Sequence, residues 1–181
     1  MQDLDLFKLP KDFRGRNAVT VQLWWFVQAL FFRLSPRFMY GWRRFLLRLF
    51  GAQIGKNVVI RPSVKITYPW KVQIGDFSWV GDDATLYSLG NIRIGAHTVV
   101  SQNSYLCAGS HDHKKKNFAI YSKPIVIGDG VWLATDVFVA PGVCIHDNAV
   151  VGARSSVFKD LEGGKIYFGS PAKYVKDRSF D

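Results

Sequence analysis

Cysteine is scarce: Cys107 and Cys144 stand alone, without a CxxC pair. A disulfide framework is therefore excluded as an organising device, and a reducing compartment is expected. The first residues, Met-Gln-Asp-Leu-Asp, lack the basic stretch that opens a secretory signal. No long hydrophobic run is present either. The best, from Val19 to Phe32, is broken by Thr20, Gln22 and Gln28, and is shorter than the roughly 20 residues that span a bilayer. These absences point to a cytoplasmic protein, with contact at the inner membrane face left open. Acidic residues are also few, 14 against 24 lysines and arginines, for a net charge of +10. That balance favours an anionic partner such as nucleic acid, an acidic membrane surface or a phosphate-bearing small molecule. With 48% hydrophobic and 21% charged residues over 181 positions, the chain is neither disordered nor fibrous and fits one domain with a small appendage.

What is abundant is a repeat. From Ile127 every sixth residue is aliphatic: Ile127, Leu133, Val139, Ile145, Val151 and Val157. The same step runs through Ile54, Ile60, Ile66, then Ile74, Val80, Leu86, Ile92, then Ile94, Val100, Leu106. Glycine often follows the aliphatic residue, as at Gly55, Gly75, Gly81, Gly95, Gly128 and Gly152, with a small or β-branched residue three positions later. A period of six fits neither an α-helix nor an alternating strand. It fits a short flat strand and a turn, three of which close one coil of an all-β solenoid. The aliphatic residue points inward, and the glycine is expected to supply turn dihedrals. Stacked coils bury what no single coil could. Breaks in register at Ile66–Ile74, Ile92–Ile94 and Leu106–Ile127 mark insertions.

The expected organisation is an N-terminal helical, aromatic-rich extension over residues 1–52, the β-helix over 53–161 with a loop inserted at about 111–124, and a C-terminal cap over 162–181. Ser35-Pro36 reads as a helix start, followed by an apolar stripe at Phe38, Trp42, Phe45, Leu46 and Leu49, with Gly51 as a stop. Arg37, Arg44 and Arg48 lie off the stripe. A second helix is expected over Val19–Leu34. The pair either caps the open end of the solenoid or lies in a membrane interface through residues 19–50; the two are compatible. The C-terminal piece is expected to cap the opposite end.

Residues 54–160 resemble the hexapeptide-repeat acyltransferases, and the whole chain resembles their colanic acid biosynthesis acetyltransferase group. The likeness is carried by RFMYGWRRFLLRLFGAQIG (Arg37–Gly55), IRPSVKITYPW (Ile60–Trp70), LCAGSH (Leu106–His111), KPIVIGDGVW (Lys123–Trp132), Pro141-Gly142-Val143 and Gly169-Ser170-Pro171-Ala172-Lys173. The resemblance implies a left-handed parallel β-helix, an exception to the usual right-handed crossover, and a homotrimer with active sites between subunits. It also implies transfer of an acetyl group from acetyl-CoA.

Making a sugar hydroxyl nucleophilic requires a base, and imidazole titrates in the right range. Of the four histidines, His97 and His146 occupy turn positions of the repeat. His111 ends a regular coil where the inserted loop begins, a favoured place for function, and it matches the family's general base. His113 is the alternative, or an acceptor contact. Asp82 and Asp83, one coil earlier, are candidates to orient the base or bind the acceptor, and Trp132 to border the acceptor pocket. Relatives often carry asparagine near Ser88. A zinc site from Cys107, His111 and His113 fits no standard spacing, so no metal is expected. By resemblance, Thr135 and Ala153 would contact the pantetheine arm, Phe158 the adenine, and Lys159, Lys173 and Lys176 the phosphates, although relatives often have threonine at Phe158 and arginine at the last two lysines. His113-Lys114-Lys115-Lys116 lacks the recognition helix or stacking platform of a nucleic-acid site. The expected function is O-acetylation of a sugar in a cell-surface polysaccharide precursor. The alternatives are another small acceptor (an amino sugar, serine or an antibiotic) and a non-catalytic trimeric scaffold.

Overall fold

The computed structural model describes residues 1–180; Asp181, the end of the expected cap, lies outside them. The aliphatic hexads become short strands on three parallel walls. The first wall stacks Gln53–Ile54, Val72–Ile74, Ile92–Ile94, Ile125–Ile127 and Cys144–Ile145. The second runs from Val59–Ile60 through Trp79–Val80, Val99–Val100, Trp132–Leu133 and Val150–Val151 to Lys165–Phe168 and Lys173–Asp177. The third stacks Lys65–Ile66, Thr85–Tyr87, Tyr105–Cys107, Phe138–Val139 and Ser156–Val157. Each inward residue sits on its equivalent one coil away: Ile54 on Ile74, Ile94, Ile127 and Ile145, and Ile66 on Leu86, Leu106, Val139 and Val157. All of these are buried. Burial of an aliphatic side chain contributes about 1.5–3 kcal/mol, so the columns supply most of the stabilisation.

The turn chemistry differs from the sequence expectation. The left-handed residue of each corner is the third after the aliphatic one, at Asn57, Phe77, Asp83, His97, Asn103, Asp136, Asn148 and Arg154, all with φ between 51° and 60°. The glycine just after the aliphatic residue serves instead to let coils approach. A Cβ at Gly75 would lie 2.5 Å from the Ala96 nitrogen and 2.6 Å from the Gly95 carbon of the next coil. The small residue that follows a corner is buried, and where it is serine or threonine its hydroxyl bridges coils. Ser78 Oγ donates to Gly95 O at 2.6 Å, Thr98 Oγ1 to Gly128 O at 2.7 Å and Ser104 Oγ to Ala134 O at 3.0 Å. The slip at Ile92–Ile94 is absorbed in a three-residue strand whose two ends both point inward.

The N-terminal helices are α1 (Ala18–Val27), capped by the Asn17 side chain, and α2 (Tyr40–Leu49). Between them a wide π-type turn spans Gln28–Phe32, and Ser35 donates to Phe32 O rather than opening α2. Gly51, with φ of +91°, ends α2 as expected. Only part of the apolar stripe of α2 faces the solenoid: Leu46 lies in the core and Trp42 packs against it. Arg43, Leu46 and Leu47 are buried, while Phe38, Phe45 and Leu49 are exposed. The reason is the open edge of the first coil, whose carbonyls have no strand beyond them. Arg43 Nε donates to Ile60 O, Arg44 to Val58 O, Arg48 to Ile54 O and Trp24 Nε1 to Ile66 O, while Gln28 Oε1 accepts from Ile66 N. Long donors close the edge that a sheet strand would otherwise pair with. At the other end, Lys165–Phe168 adds in parallel to Val150–Val151 and Lys173–Asp177 folds back against it.

Candidate active site

The loop histidine is set by a hairpin. After Tyr105–Cys107 the chain leaves the third wall as Gly109–His111 and returns antiparallel as Ile120–Ser122, with His111 opposite Ile120. Gly109 allows this exit, because a Cβ there would meet the Leu89 side chain at 2.8 Å. Asp112 closes the tip by accepting from Lys114 N at 3.0 Å, so it serves the loop. Phe118 then adopts φ of +46°, unusual for a bulky side chain, and this turns its carbonyl towards the histidine. His111 Nδ1 lies 2.7 Å from Phe118 O. A carbonyl only accepts, so in the neutral ring Nδ1 carries the proton and Nε2 keeps its lone pair. The imidazole stacks on the Phe118 ring at 4.2 Å and 6°, and Phe7 approaches it at 5.8 Å. Beside it lies a cavity of about 340 Å³ lined by His111, His113, Lys115, Tyr121 and Lys123.

The remaining expected residues occupy other faces of the same chain. Asp82 lies 3.6 Å from Arg61 and 3.8 Å from Arg37, and accepts from Ser63 Oγ at 3.1 Å. Asp83 forms a left-handed corner whose amide donates to Ser63 Oγ. Within one chain neither orients His111; the Phe118 carbonyl does. Asp82 instead borders a groove of about 570 Å³ on the second wall, floored by Val59, Trp79 and Val99 with Arg61 and Gln102 at its rim. Trp132 stands on this wall, donating to Ser101 Oγ at 3.1 Å. Ser88 is buried and pairs with both the amide and the carbonyl of Tyr68, so it holds a corner and does not reach His111.

Thr135 and Ala153 share the corner column between the second and third walls, where Arg154 N donates to Thr135 O. Phe158 and Lys159 are exposed at the end of the last third-wall strand. The Ala172 amide donates to Ser156 O at 2.9 Å, which brings the exposed Lys173 to the same end of the solenoid; Lys176 follows on that strand. Cys107 donates to Gly109 O at 3.0 Å, and burial pushes its thiol up from the ordinary value, which disfavours a nucleophilic thiolate. Phe7 and Phe118 were not legible as site residues: their role depends on a positive φ at Phe118 and on a Phe7–His111 contact that spans more than half of the chain.

No family model matches the chain. The protein named "Putative colanic acid biosynthesis acetyltransferase WcaF" of Escherichia coli (strain K12) is 65% identical over 178 residues, covering 98% of each chain. Galactoside O-acetyltransferase of the same organism is 31% identical over 138 residues, covering 75% of this chain and 68% of its own. Among solved structures, a galactoside acetyltransferase in complex with coenzyme A superposes with a TM-score of 0.82 at 25% identity, covering 94% of this chain and 84% of that one. The six-residue repeat, the three-walled solenoid and these likenesses converge: the chain belongs to the hexapeptide-repeat acetyltransferases, in the colanic acid biosynthesis group.

Proposed function

We propose that the protein transfers the acetyl group of acetyl-CoA to a sugar hydroxyl of a cell-surface polysaccharide precursor, with His111 as general base in a ternary complex. The observation that carries this reading is the 2.7 Å contact from His111 Nδ1 to the Phe118 carbonyl. It leaves Nε2 as a bare acceptor at the start of a loop beside a basic cavity. Nε2 takes the hydroxyl proton as the oxygen attacks the thioester carbonyl. A backbone amide stabilises the tetrahedral oxyanion. The carbon–sulfur bond then breaks, and the imidazolium returns its proton to the departing thiolate. No acyl-enzyme forms, in keeping with the raised thiol of Cys107. A galactoside O-acetyltransferase among the relatives supports a sugar hydroxyl as acceptor, and the coenzyme A complex supports the donor.

Lys159, Lys173 and Lys176 would meet the phosphates, Thr135 and Ala153 the pantetheine arm, and Phe158 the adenine. A homotrimer in the cytoplasm follows from the same reading. In it the loop bearing His111 and His113 would face a neighbour's second wall, where the groove carrying Asp82, Asp83 and Trp132 would receive the acceptor. The test is His111→Ala in a thiol-release assay with acetyl-CoA over a panel of nucleotide sugars and oligosaccharides, paired with calorimetric titration of acetyl-CoA. Turnover should fall about 10²–10⁴-fold with donor affinity unchanged. Normal turnover in the variant would refute the base, and absence of any binding heat would refute the donor.

A further inference from the structure

The N-terminal helices are apolar on two sides, and only one of them is used. Along α1 and the π-type turn that follows it, the inward stripe is Val21, Trp24 and Phe32, all fully buried against the solenoid. The opposite stripe, Val19, Leu23, Phe26, Leu30 and Leu34, has the spacing of one helical face and stays exposed, at 76% for Val19 and 72% for Leu34. Helices that are apolar all round belong where both faces are covered. On α2 the outward side carries Phe45 and Leu49, with Phe38, at 79% exposure, just before its start. The two stripes are continuous. Phe26 packs edge-on against Phe31 at 6.1 Å, Trp42 Nε1 donates to the Phe31 carbonyl at 2.9 Å, and Trp42 stacks on Phe45 at 5.8 Å. A soluble monomer rarely leaves a patch of this kind bare.

Charge narrows what covers it. Between Asp12 and Asp76 the sequence contains no acidic residue, while Arg33 and Arg37 fall between Phe31 and Phe38. Arg33 and Arg37 are exposed beside Leu34 and Phe38. A second copy meeting this face with its own would oppose arginine to arginine. Contacts between the long walls of neighbouring solenoids would leave it free, because the helices close the end of the coil stack. Among the described residues no helix is long and apolar enough to cross a membrane. Aromatic and aliphatic side chains interleaved with arginine match the headgroup boundary of an anionic bilayer; Asp82 borders the patch, 3.8 Å from Arg37, and leaves Arg33 beside it. We infer that the outward face of α1 and α2 docks the protein peripherally on an anionic lipid surface.

The inference does not rest on the proposed acceptor. Its test is co-sedimentation of the full chain with phosphatidylcholine vesicles containing phosphatidylglycerol, against vesicles of phosphatidylcholine alone. The native protein should partition preferentially onto the anionic vesicles, and added salt should weaken this. The triple variant Leu23→Ser, Phe26→Ser, Phe38→Ser should lose about tenfold or more of that partition. The single variant Arg33→Glu, which removes no packing, should lose about fivefold or more. Acetyl transfer to a soluble acceptor should be unchanged in both, so this inference and the proposed function fail separately. No partition of the native chain, or undiminished partition in both variants, overturns it. So does a drop in sedimentation coefficient of the variants without lipid, which would make the face a contact between copies.

Discussion

Replacing Arg43 by methionine removes four hydrogen bonds from the capped end of the solenoid. Nε donates to Ile60 O at 2.6 Å, Nη1 to Ser35 Oγ at 2.9 Å and to Pro36 O at 2.8 Å, and Nη2 to Arg37 O at 2.6 Å. The residue is fully buried, and burial pulls its pKa below the ordinary guanidinium value, but it remains charged at neutral pH. Ile60 is itself fully buried, so its carbonyl would lose a charged donor with no water to replace it, at about 1.5–3 kcal/mol. Pro36 and Arg37 are exposed and can rehydrate, at about 0.5–1 kcal/mol each. Methionine recovers part of the apolar packing and escapes the desolvation of a cation. The expected net loss is about 3 kcal/mol, or about 6–12 °C in Tm for a chain of this size. Arg43→Lys should be nearly as damaging, since one ammonium cannot reach carbonyls in several directions. Thermal unfolding followed by circular dichroism measures both. A shift under about 2 °C for Arg43→Met would refute the view that guanidinium donors close the first coil.

Gly75→Ala should destabilise by about 1–3 kcal/mol because the new Cβ meets backbone of the next coil. The same change at Gly152 would first meet the ring of Phe168, an exposed side chain that can swing aside, so urea unfolding should rank Gly75 above it. Thr98→Val keeps the shape but leaves Gly128 O without its donor, for a loss of about 1–3 kcal/mol read by the same method. Lys159→Glu combined with Lys173→Glu should raise the KM for acetyl-CoA about tenfold or more with kcat little changed, as measured in steady-state kinetics. Burial raises the Cys107 thiol pKa, so less thiolate is present at any pH below that value. Alkylation of the folded protein at mildly alkaline pH should therefore be slower than of the unfolded chain, and should accelerate as pH rises further. Equal rates would contradict the buried setting.

The coil core was legible because inward positions repeat a side-chain type at fixed spacing, and Ile127, Leu133 and Val139, one on each wall, declare it without help. His111 was legible because it stands where that spacing breaks. The meaning of the glycines was not: the repeat places Gly75 after Ile74, but only the stacked coils reveal that the crowding comes from Ala96. Nor was the orientation of α2, where periodicity marks an apolar stripe and the unpaired carbonyls of Ile54, Val58 and Ile60 draw the arginine side inward as well.

By itself, then, the sequence determined the solenoid, its three walls and the position of the loop histidine, because each depends on residues close along the chain or repeated at one period. The tertiary structure alone decided which face of the helices is spent on the first coil and which remains apolar and bare. It also decided that the Phe118 carbonyl, and not Asp82 or Asp83, sets the tautomer of His111 within a chain. Both depend on where backbone carbonyls point once coils are stacked, and every residue carries the same carbonyl, so no side-chain pattern records its direction.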